Sequence, residues 1–387
     1  MGRKNKLKTQ GGKMEFTCEQ KELYGTLGCV QSVIPGRSTH PVLSNVLLTA
    51  KKDSVNIYGT DLDVSMEAQI PADVSVEGAF AVPAKRLYDL IRELDEGKVS
   101  VKRAKERVSI SQGSGNFFVS GVSGEDYPQE DREGKTEVEL LIPTEEICKM
   151  LSATLYAVSA DVARIALSGL LLHISSEEII SVGTDGHRLT LVKRKIPVKK
   201  DINREIVIPA KTAGHIARMT ADKEGDTKIE IGEGTVQFTV GKYKLSSKLI
   251  TEKFPDYTQV IPKENKKSLI VDKDVLMSAA RRAAVLSNPI THLVKFNITK
   301  GKIELSCSDY DVGGEAHEEI SGEYSDEPIS IGFNSSYLLE ILRHMESDEV
   351  KILLKNALSA ALIVPLPQKE DEEYLSILMP LRLPEEE

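Results

Sequence analysis

Tryptophan is absent from this 387-residue chain, and aromatic residues of all kinds make up only 5% of it. Stacking unpaired bases takes aromatic rings in number, so a single-strand platform is disfavoured. Cysteine is nearly as scarce: Cys18, Cys29, Cys148 and Cys307 form no CxxC pair and are too few to staple a chain of this length. They read as small core residues of a protein kept in a reducing compartment. Long apolar runs are missing; stretches such as 169–172 and 360–366 fall far short of the ~18 residues a membrane helix needs. Positive charge is not in excess either. Fifty Lys and Arg stand against 59 Asp and Glu, a net charge of −9, so any nucleic-acid partner would have to be met by a local positive zone. The basic opening, 1–13, has no apolar core and is not a signal peptide. Cytoplasm is the expected location.

Motifs of chemistry are equally sparse. Gly134-Lys135-Thr136 looks like the end of a phosphate-binding loop, but Gln129 stands where that loop needs its first glycine. A nucleophile elbow fails at Ser114, preceded by Gln112, and at Ser123, followed by Glu125. The seven histidines are scattered without ligand spacing. No metal, cofactor or catalytic residue is expected.

What the sequence does have is an internal triplication. Ser54-Val-Asn-Ile-Tyr-Gly-Thr-Asp61 returns as Glu178-Ile-Ile-Ser-Val-Gly-Thr-Asp185 and as Lys302-Ile-Glu-Leu-Ser-Cys-Ser-Asp309, which places the aspartates 124 residues apart both times. A second marker, Phe80-Ala-Val-Pro-Ala-Lys85, returns as Ile206-Val-Ile-Pro-Ala-Lys211 and Ile329-Ser-Ile-Gly-Phe-Asn334. Within each copy, apolar spacings of three and four predict one helix over 19–33, 144–159 or 272–288. A proline or an asparagine cap predicts a second, over 83–94, 209–220 or 334–347. Period-two segments between them, such as 46–50, 55–58, 99–101, 108–110 and 235–240, predict short strands. The fold expected is therefore α+β: three tandem copies of a domain with two helices and antiparallel sheets. Polar joints place these domains at 14–137, 138–265 and 266–383. Residues 1–13 read as an N-terminal extension ahead of an original start at Met14, and 384–387 as an acidic tail.

Asp185-Gly186-His187-Arg188 is the one run that suggests acid/base work, as in a hydrolase or transferase using Asp185 and His187. Asp61 and Asp309 occupy the same place in the other copies, which favours a shared turn instead. Only the second copy continues Gly-His-Arg-Leu after its aspartate, and a break in the repeat's rule is where a function is added. The six helical stretches together are close to neutral, so the net negative charge lies elsewhere in the chain. Helices facing one space would offer their basic residues to phosphates.

Eight ordered runs resemble the bacterial DNA polymerase III β subunit, the sliding-clamp family, over residues 14–383. They are Gly36-Arg-Ser-Thr-His-Pro-Val-Leu-Ser-Asn45, Gly59-Thr-Asp61, Val82-Pro-Ala-Lys85, Gly183-Thr-Asp-Gly-His-Arg-Leu189, Phe254-Pro-Asp-Tyr257, Ala283-Ala-Val-Leu-Ser-Asn288, Ile331-Gly-Phe-Asn334 and Met379-Pro-Leu-Arg-Leu383. The resemblance implies a non-catalytic, head-to-tail homodimer whose six domains close a ring around double-stranded DNA, without reading its sequence. Implied partners are the replicative DNA polymerase, an ATP-dependent clamp loader, and other polymerases and repair proteins that bind through short peptide motifs. By matching positions, Arg37, Lys85, Arg86, Lys211 and Arg282 are expected to meet DNA, and Phe117 and Val119 to join Val285 and Leu286 across the dimer interface. The client-peptide pocket is expected at Arg164, Leu167, Thr184, Gly186, His187, Arg188, Leu189, Pro255, Val260, Asn334, Tyr337, Leu358, Met379, Pro380, Leu381 and Arg382. Ile165 and Ala166 stand where relatives often carry aromatic residues, and Gln259 where arginine is common, so the preferred peptide motif is expected to differ.

Overall fold

The computed structural model of the chain describes residues 13–36, 38–129, 136–197, 201–221, 223–309 and 313–383. Arg37, nearly all of the 1–13 extension and the 384–387 tail lie outside the described residues.

The first copy runs β1 (Lys13–Glu19), α1 (Gln20–Gln31), β2 (Asn45–Lys51), β3 (Ser54–Thr60), β4 (Val64–Pro71), β5 (Asp73–Val76), β6 (Gly78–Pro83), α2 (Ala84–Arg92), β7 (Lys98–Ala104), β8 (Arg107–Gln112), β9 (Gly115–Ser120) and β10 (Val122–Ser123). The second is β11 (Val138–Pro143), α3 (Thr144–Leu155), β12 (Gly169–Ser175), β13 (Ile179–Thr184), β14 (Arg188–Arg194), β15 (Asn203–Pro209), α4 (Ala210–Thr220), β16 (Asp226–Gly232), β17 (Thr235–Val240) and β18 (Tyr243–Lys248). The third is β19 (Lys267–Asp272), α5 (Lys273–Val285), β20 (Leu293–Thr299), β21 (Lys302–Asp309), β22 (Gly314–Ser321), β23 (Ile329–Asn334), α6 (Ser335–Arg343), β24 (Glu349–Leu354), β25 (Ala361–Leu366) and β26 (Glu372–Leu378). Apart from β5 and β10, each copy has one order: strand, helix, four strands, helix, three strands.

The chain forms two compact units, Met1–Ile147 with His215–Leu249, and Cys148–Gly214 with Ile250–Glu387. In the first, a five-stranded sheet runs β5-β1-β7-β8-β9 and a nine-stranded sheet runs β10-β6-β2-β3-β4-β18-β17-β16-β11. In the second, an eight-stranded sheet runs β15-β12-β13-β14-β26-β25-β24-β19 and a four-stranded sheet runs β22-β21-β20-β23. All these pairings are antiparallel, which suits strands that alternate buried and more open residues, as β17 alternates buried and half-buried ones over Thr235–Val240. Two large sheets are fusions between copies. Strand β4 pairs with β18, Tyr243 opposite Ala68, and β14 pairs with β26, Thr190 opposite Ser376. The rule is the same both times: the third strand after a copy's first helix joins the last strand of the next copy. Applied a third time it leaves β22 of the third copy and β9 of the first, each at the edge of its sheet.

The helices bury one stripe apiece: Leu23, Leu27 and Val30 in α1, and Leu276, Ala279, Ala280 and Ala283 in α5. Asp272 accepts the Val275 N–H at 2.8 Å and Asn334 the Tyr337 N–H at 3.1 Å, so the expected asparagine cap is in place. Helices α1, α3 and α5 end two to four residues before their apolar spacing does, at Gln31, Leu155 and Val285. The chain leaves each through i→i−3 turns, such as Ala157 N–H to Thr154 and Leu286 N–H to Ala283, which keep side chains on the apolar face without continuing the α ladder.

Candidate functional site

Asp185 is a turn residue. Its Oδ1 accepts the main-chain N–H of His187 at 2.8 Å and of Arg188 at 2.9 Å, closing the β13–β14 connection. Asp61 does the same for Asp63 and Val64 between β3 and β4. Both turns need a left-handed residue next, which is Leu62 at φ 79° in the first copy and Gly186 at φ 87° in the second. The imidazole of His187 lies against the Tyr337 ring, with centroids 6.3 Å apart, rather than on Asp185. Acid/base chemistry by this pair is thereby overturned.

The same turn anchors an apolar surface of the second unit. Arg188 is 7% exposed and acts as a strut below it. Its Nε reaches Asp185 Oδ2 at 3.2 Å, its Nη2 donates to the Tyr156 carbonyl at 2.9 Å, and its Nη1 pairs with Glu340 of α6. The guanidinium also lies over the rings of Tyr337 and Tyr156, at 4.5 and 5.2 Å. Three polar contacts and two rings satisfy a charge that would otherwise be costly to bury. Thr184 is likewise committed inward, donating from Oγ1 to the Arg188 carbonyl at 2.6 Å. Above the strut the C-terminal segment is held by two main-chain bonds, Met379 N–H to His187 and Leu381 N–H to Gly332.

An apolar floor continues from there. Leu189, Leu171, Val207, Phe254, Leu375 and Ile377 form one buried cluster, with Leu167, Ile250, Tyr257, Ile261 and Leu362 packed against it. Burial raises the Tyr257 phenol above its ordinary value. Met379 at 46% exposure, Val260 at 55%, Leu358 at 72% and Ile165 at 48% remain open to solvent. Arg164 crosses to the Asp185 carbonyl at 3.0 Å, and Asn356 Oδ1 holds the turn that presents Leu358. Of the sixteen residues expected here, contacts join Arg164, Thr184, Gly186, His187, Arg188, Tyr337, Asn334, Met379 and Leu381, and the cluster takes Leu167 and Leu189. Pro255 and Val260 flank Phe254 and Tyr257, Pro380 is half-buried, and Arg382 is exposed. Ile250, Ile261 and Leu362 were not anticipated. Each sits beside other apolar residues, Leu249, Val260 and Ile363, and nothing in the local pattern reports the distant strand it meets.

The remaining expected residues lie apart. On the edge strand β9, Phe117 is 38% exposed, Val119 is half-buried, and the unanticipated Phe118 is 56% exposed. At the end of α5, Val285 is 78% and Leu286 41% exposed, and Leu286 sits against Gly314 at the start of the other edge strand, β22. Lys85, Arg86 and Lys211 are exposed, Lys85 reaching Asp89 at 3.2 Å. Arg282 is different: Glu318 of β22 takes its Nε at 2.6 Å and its Nη2 at 2.8 Å, a bidentate pair that raises the guanidinium and lowers the carboxyl relative to their ordinary values.

Family models match almost end to end. The DNA polymerase III beta subunit N-terminal domain matches residues 14–131, its central domain 141–256 and its C-terminal domain 258–382. The beta sliding clamp of Proteus mirabilis is 32% identical over 374 residues, covering 96% of this chain and all of that protein. That of Escherichia coli K12 is 30% identical over 373 residues with the same coverage. Among solved structures, a DnaN sliding clamp from Bartonella birtlesii bound to griselimycin superposes with a TM-score of 0.91 at 32% identity, over 96% of this chain and all of that one.

Proposed function

This chain belongs to the DNA polymerase III beta subunit family of sliding clamps, and we propose that two copies, joined β9 to β22, form the ring that encircles double-stranded DNA. The protein is a clamp and not an enzyme: it holds the replicative polymerase to DNA by topology rather than by chemistry. The observation that carries the mode of joining is the strand rule. Copy joins copy through β4 with β18 and through β14 with β26, and the same rule assigns β22 to β9 of a second chain. Such a contact is heterologous, and two of them close a ring while covering the β9 and β22 edges. Phe117 and Val119 would then be covered by Val285 and Leu286.

Domain boundaries at 14–137, 138–265 and 266–383 suit this reading, since each interval holds one strand–helix copy. Lys85, Arg86 and Lys211 at the starts of α2 and α4 would meet the DNA backbone; Arg282, tied to Glu318, would serve the β22 edge instead. A clamp held by closure needs only weak, sequence-blind attraction, which agrees with a net charge of −9. Client proteins would dock a short peptide on the open apolar surface formed by Met379, Val260, Leu358 and Leu167, with Arg188 keeping its frame rigid. Ile165 and Ala166 would give that surface an aliphatic rim. No helix among the described residues is long and apolar enough to cross a membrane, and a replication clamp would work in the cytoplasm.

The test is topological. Loaded by a separate ATP-driven loader onto nicked circular DNA, the ring should persist until the circle is cut, then leave by sliding off an end. Equal retention on circular and linear DNA would refute encirclement.

A further inference from the structure

Five side chains of the second unit form one chain of ring contacts that starts at the open apolar surface and ends beyond it. At the surface, the exposed imidazole of His187 lies against Tyr337, with centroids 6.3 Å apart and planes 22° from parallel. Next, the guanidinium of Arg188 lies over Tyr337 at 4.5 Å and over Tyr156 at 5.2 Å. At the far end, Tyr156 and His344 stack with centroids 4.2 Å apart and planes only 10° from parallel. Helix α6 contributes to this chain from one face. Tyr337, Glu340 and His344, which caps the helix end, stand at i, i+3 and i+7, a single stripe of a 3.6-residue helix. The stripe meets the second copy throughout: Arg188 pairs with Glu340 and covers Tyr337, while Tyr156 takes His344. Both rings at the far end are fixed. His344 Nδ1 donates to the Glu340 carbonyl at 2.8 Å, and the His344 carbonyl accepts the Tyr374 hydroxyl at 3.2 Å. The Tyr156 hydroxyl shares hydrogen bonds with Thr190 Oγ1 at 2.6 Å and Ser376 Oγ at 3.4 Å, on the paired strands β14 and β26.

We infer that Tyr156 and His344 are positioning residues for client docking, acting through Arg188 and Tyr337 on His187. The inference rests on the reading of the open apolar surface as the client site. Neither residue belongs to the apolar cluster beneath that surface or to its exposed rim. Their influence is transmitted by planes. Flat groups in contact set one another's tilt, so His344 orients Tyr156, Tyr156 orients the guanidinium, and the guanidinium orients Tyr337 against His187. The main chain of His187 in turn holds Met379, whose N–H it accepts at 2.9 Å. Removing the last ring leaves the guanidinium free to re-seat on one side, and the docking geometry must then be restored by the peptide itself. One aromatic stacking contact is worth about two- to tenfold in an equilibrium, which sets the size of the effect. The transmission also runs outward in: a peptide seated beside His187 is felt at His344.

The experiment is fluorescence anisotropy of a labelled polymerase-tail peptide on the full-length protein, with histidine side-chain NMR in parallel. Seven histidines give a spectrum sparse enough to assign. In the unsubstituted protein the peptide should shift His344 together with His187, while the exposed His317 of β22 stays in place. His344→Ala should weaken the peptide about fivefold, and His344→Phe, which keeps a flat ring, should restore the affinity. At Tyr156 the ring and the hydroxyl can be separated. Tyr156→Phe loses the bonds to Thr190 and Ser376, and with them melting temperature, yet should keep the affinity; Tyr156→Leu should bind as weakly as His344→Ala. Affinity that follows melting temperature rather than the ring would overturn the inference in favour of a merely structural role. Met379→Ala with Leu381→Ala is the control for the surface itself. A peptide indifferent to that pair would refute the docking reading, and this inference with it. A peptide weakened by that pair, but leaving His344 unshifted and binding His344→Ala as tightly as the wild type, would leave the docking reading standing and overturn the positioning role alone.

Discussion

Leu286→Asp should convert the closed ring into monomers. In the single chain Leu286 is already partly covered, with 41% of its surface open, and it packs on Gly314 at the head of the β22 edge. Full burial of a leucine is worth about 1.5 to 3 kcal/mol, so the portion left for a partner is worth about 1 kcal/mol per joint. Leu286→Ala should therefore weaken each joint only about fivefold. Aspartate loses the same apolar term and adds the desolvation of a carboxylate, several kcal/mol, close to Glu315 and Glu318 on β22. The total of about 4 kcal/mol per joint corresponds to about a thousandfold weakening of each of the two joints. Val285, 78% exposed, has more surface to lose and should be the more sensitive of the two to truncation. Sedimentation velocity from nanomolar to micromolar protein, with thermal melting of the separated monomer as the folding control, reads this series. The reasoning is refuted if the wild type is monomeric, or if Leu286→Asp dimerises as tightly as Leu286→Ala.

Three further outcomes are expected. Lys85→Glu with Arg86→Glu, both exposed, should impair retention on nicked circular DNA without altering dimer mass, as a loading assay reads directly. Met379→Ala with Leu381→Ala should weaken a labelled polymerase-tail peptide by about 1 to 3 kcal/mol, measured by fluorescence anisotropy, with ring assembly unchanged. Arg188→Ala leaves Asp185 Oδ2 and the Tyr156 carbonyl without their side-chain donor; because Glu340 is 40% exposed, the stability loss should be about 2 to 3 kcal/mol rather than that of a fully buried pair. Denaturant unfolding measures it, and peptide affinity should fall with it.

The threefold repeat was legible because it lies in local pattern. Gly-Thr-Asp in the first two copies and Cys-Ser-Asp in the third recur at a fixed spacing, the aspartates cap the same turn in the first two copies, and Asn334 announces its helix by a side chain that closes on a backbone three residues away. Short-range rules of this kind depend only on neighbours along the chain, so the linear order of residues was sufficient to determine them. Helix ends were less legible, since the apolar period of α1, α3 and α5 runs on through turns that no longer carry α hydrogen bonds. What only the tertiary structure decided was which residues meet across long separations. Arg188 was read as part of a pocket surface, and it is a buried strut because Tyr156, Glu340 and Tyr337, distant in sequence, all converge on it. Arg282 is 59% exposed, and it is the fold that brings Glu318 on a neighbouring strand to its Nε and Nη2. A guanidinium takes whatever partner packing brings within 3 Å, and packing is settled by strand pairings such as β14 with β26 that no local window contains.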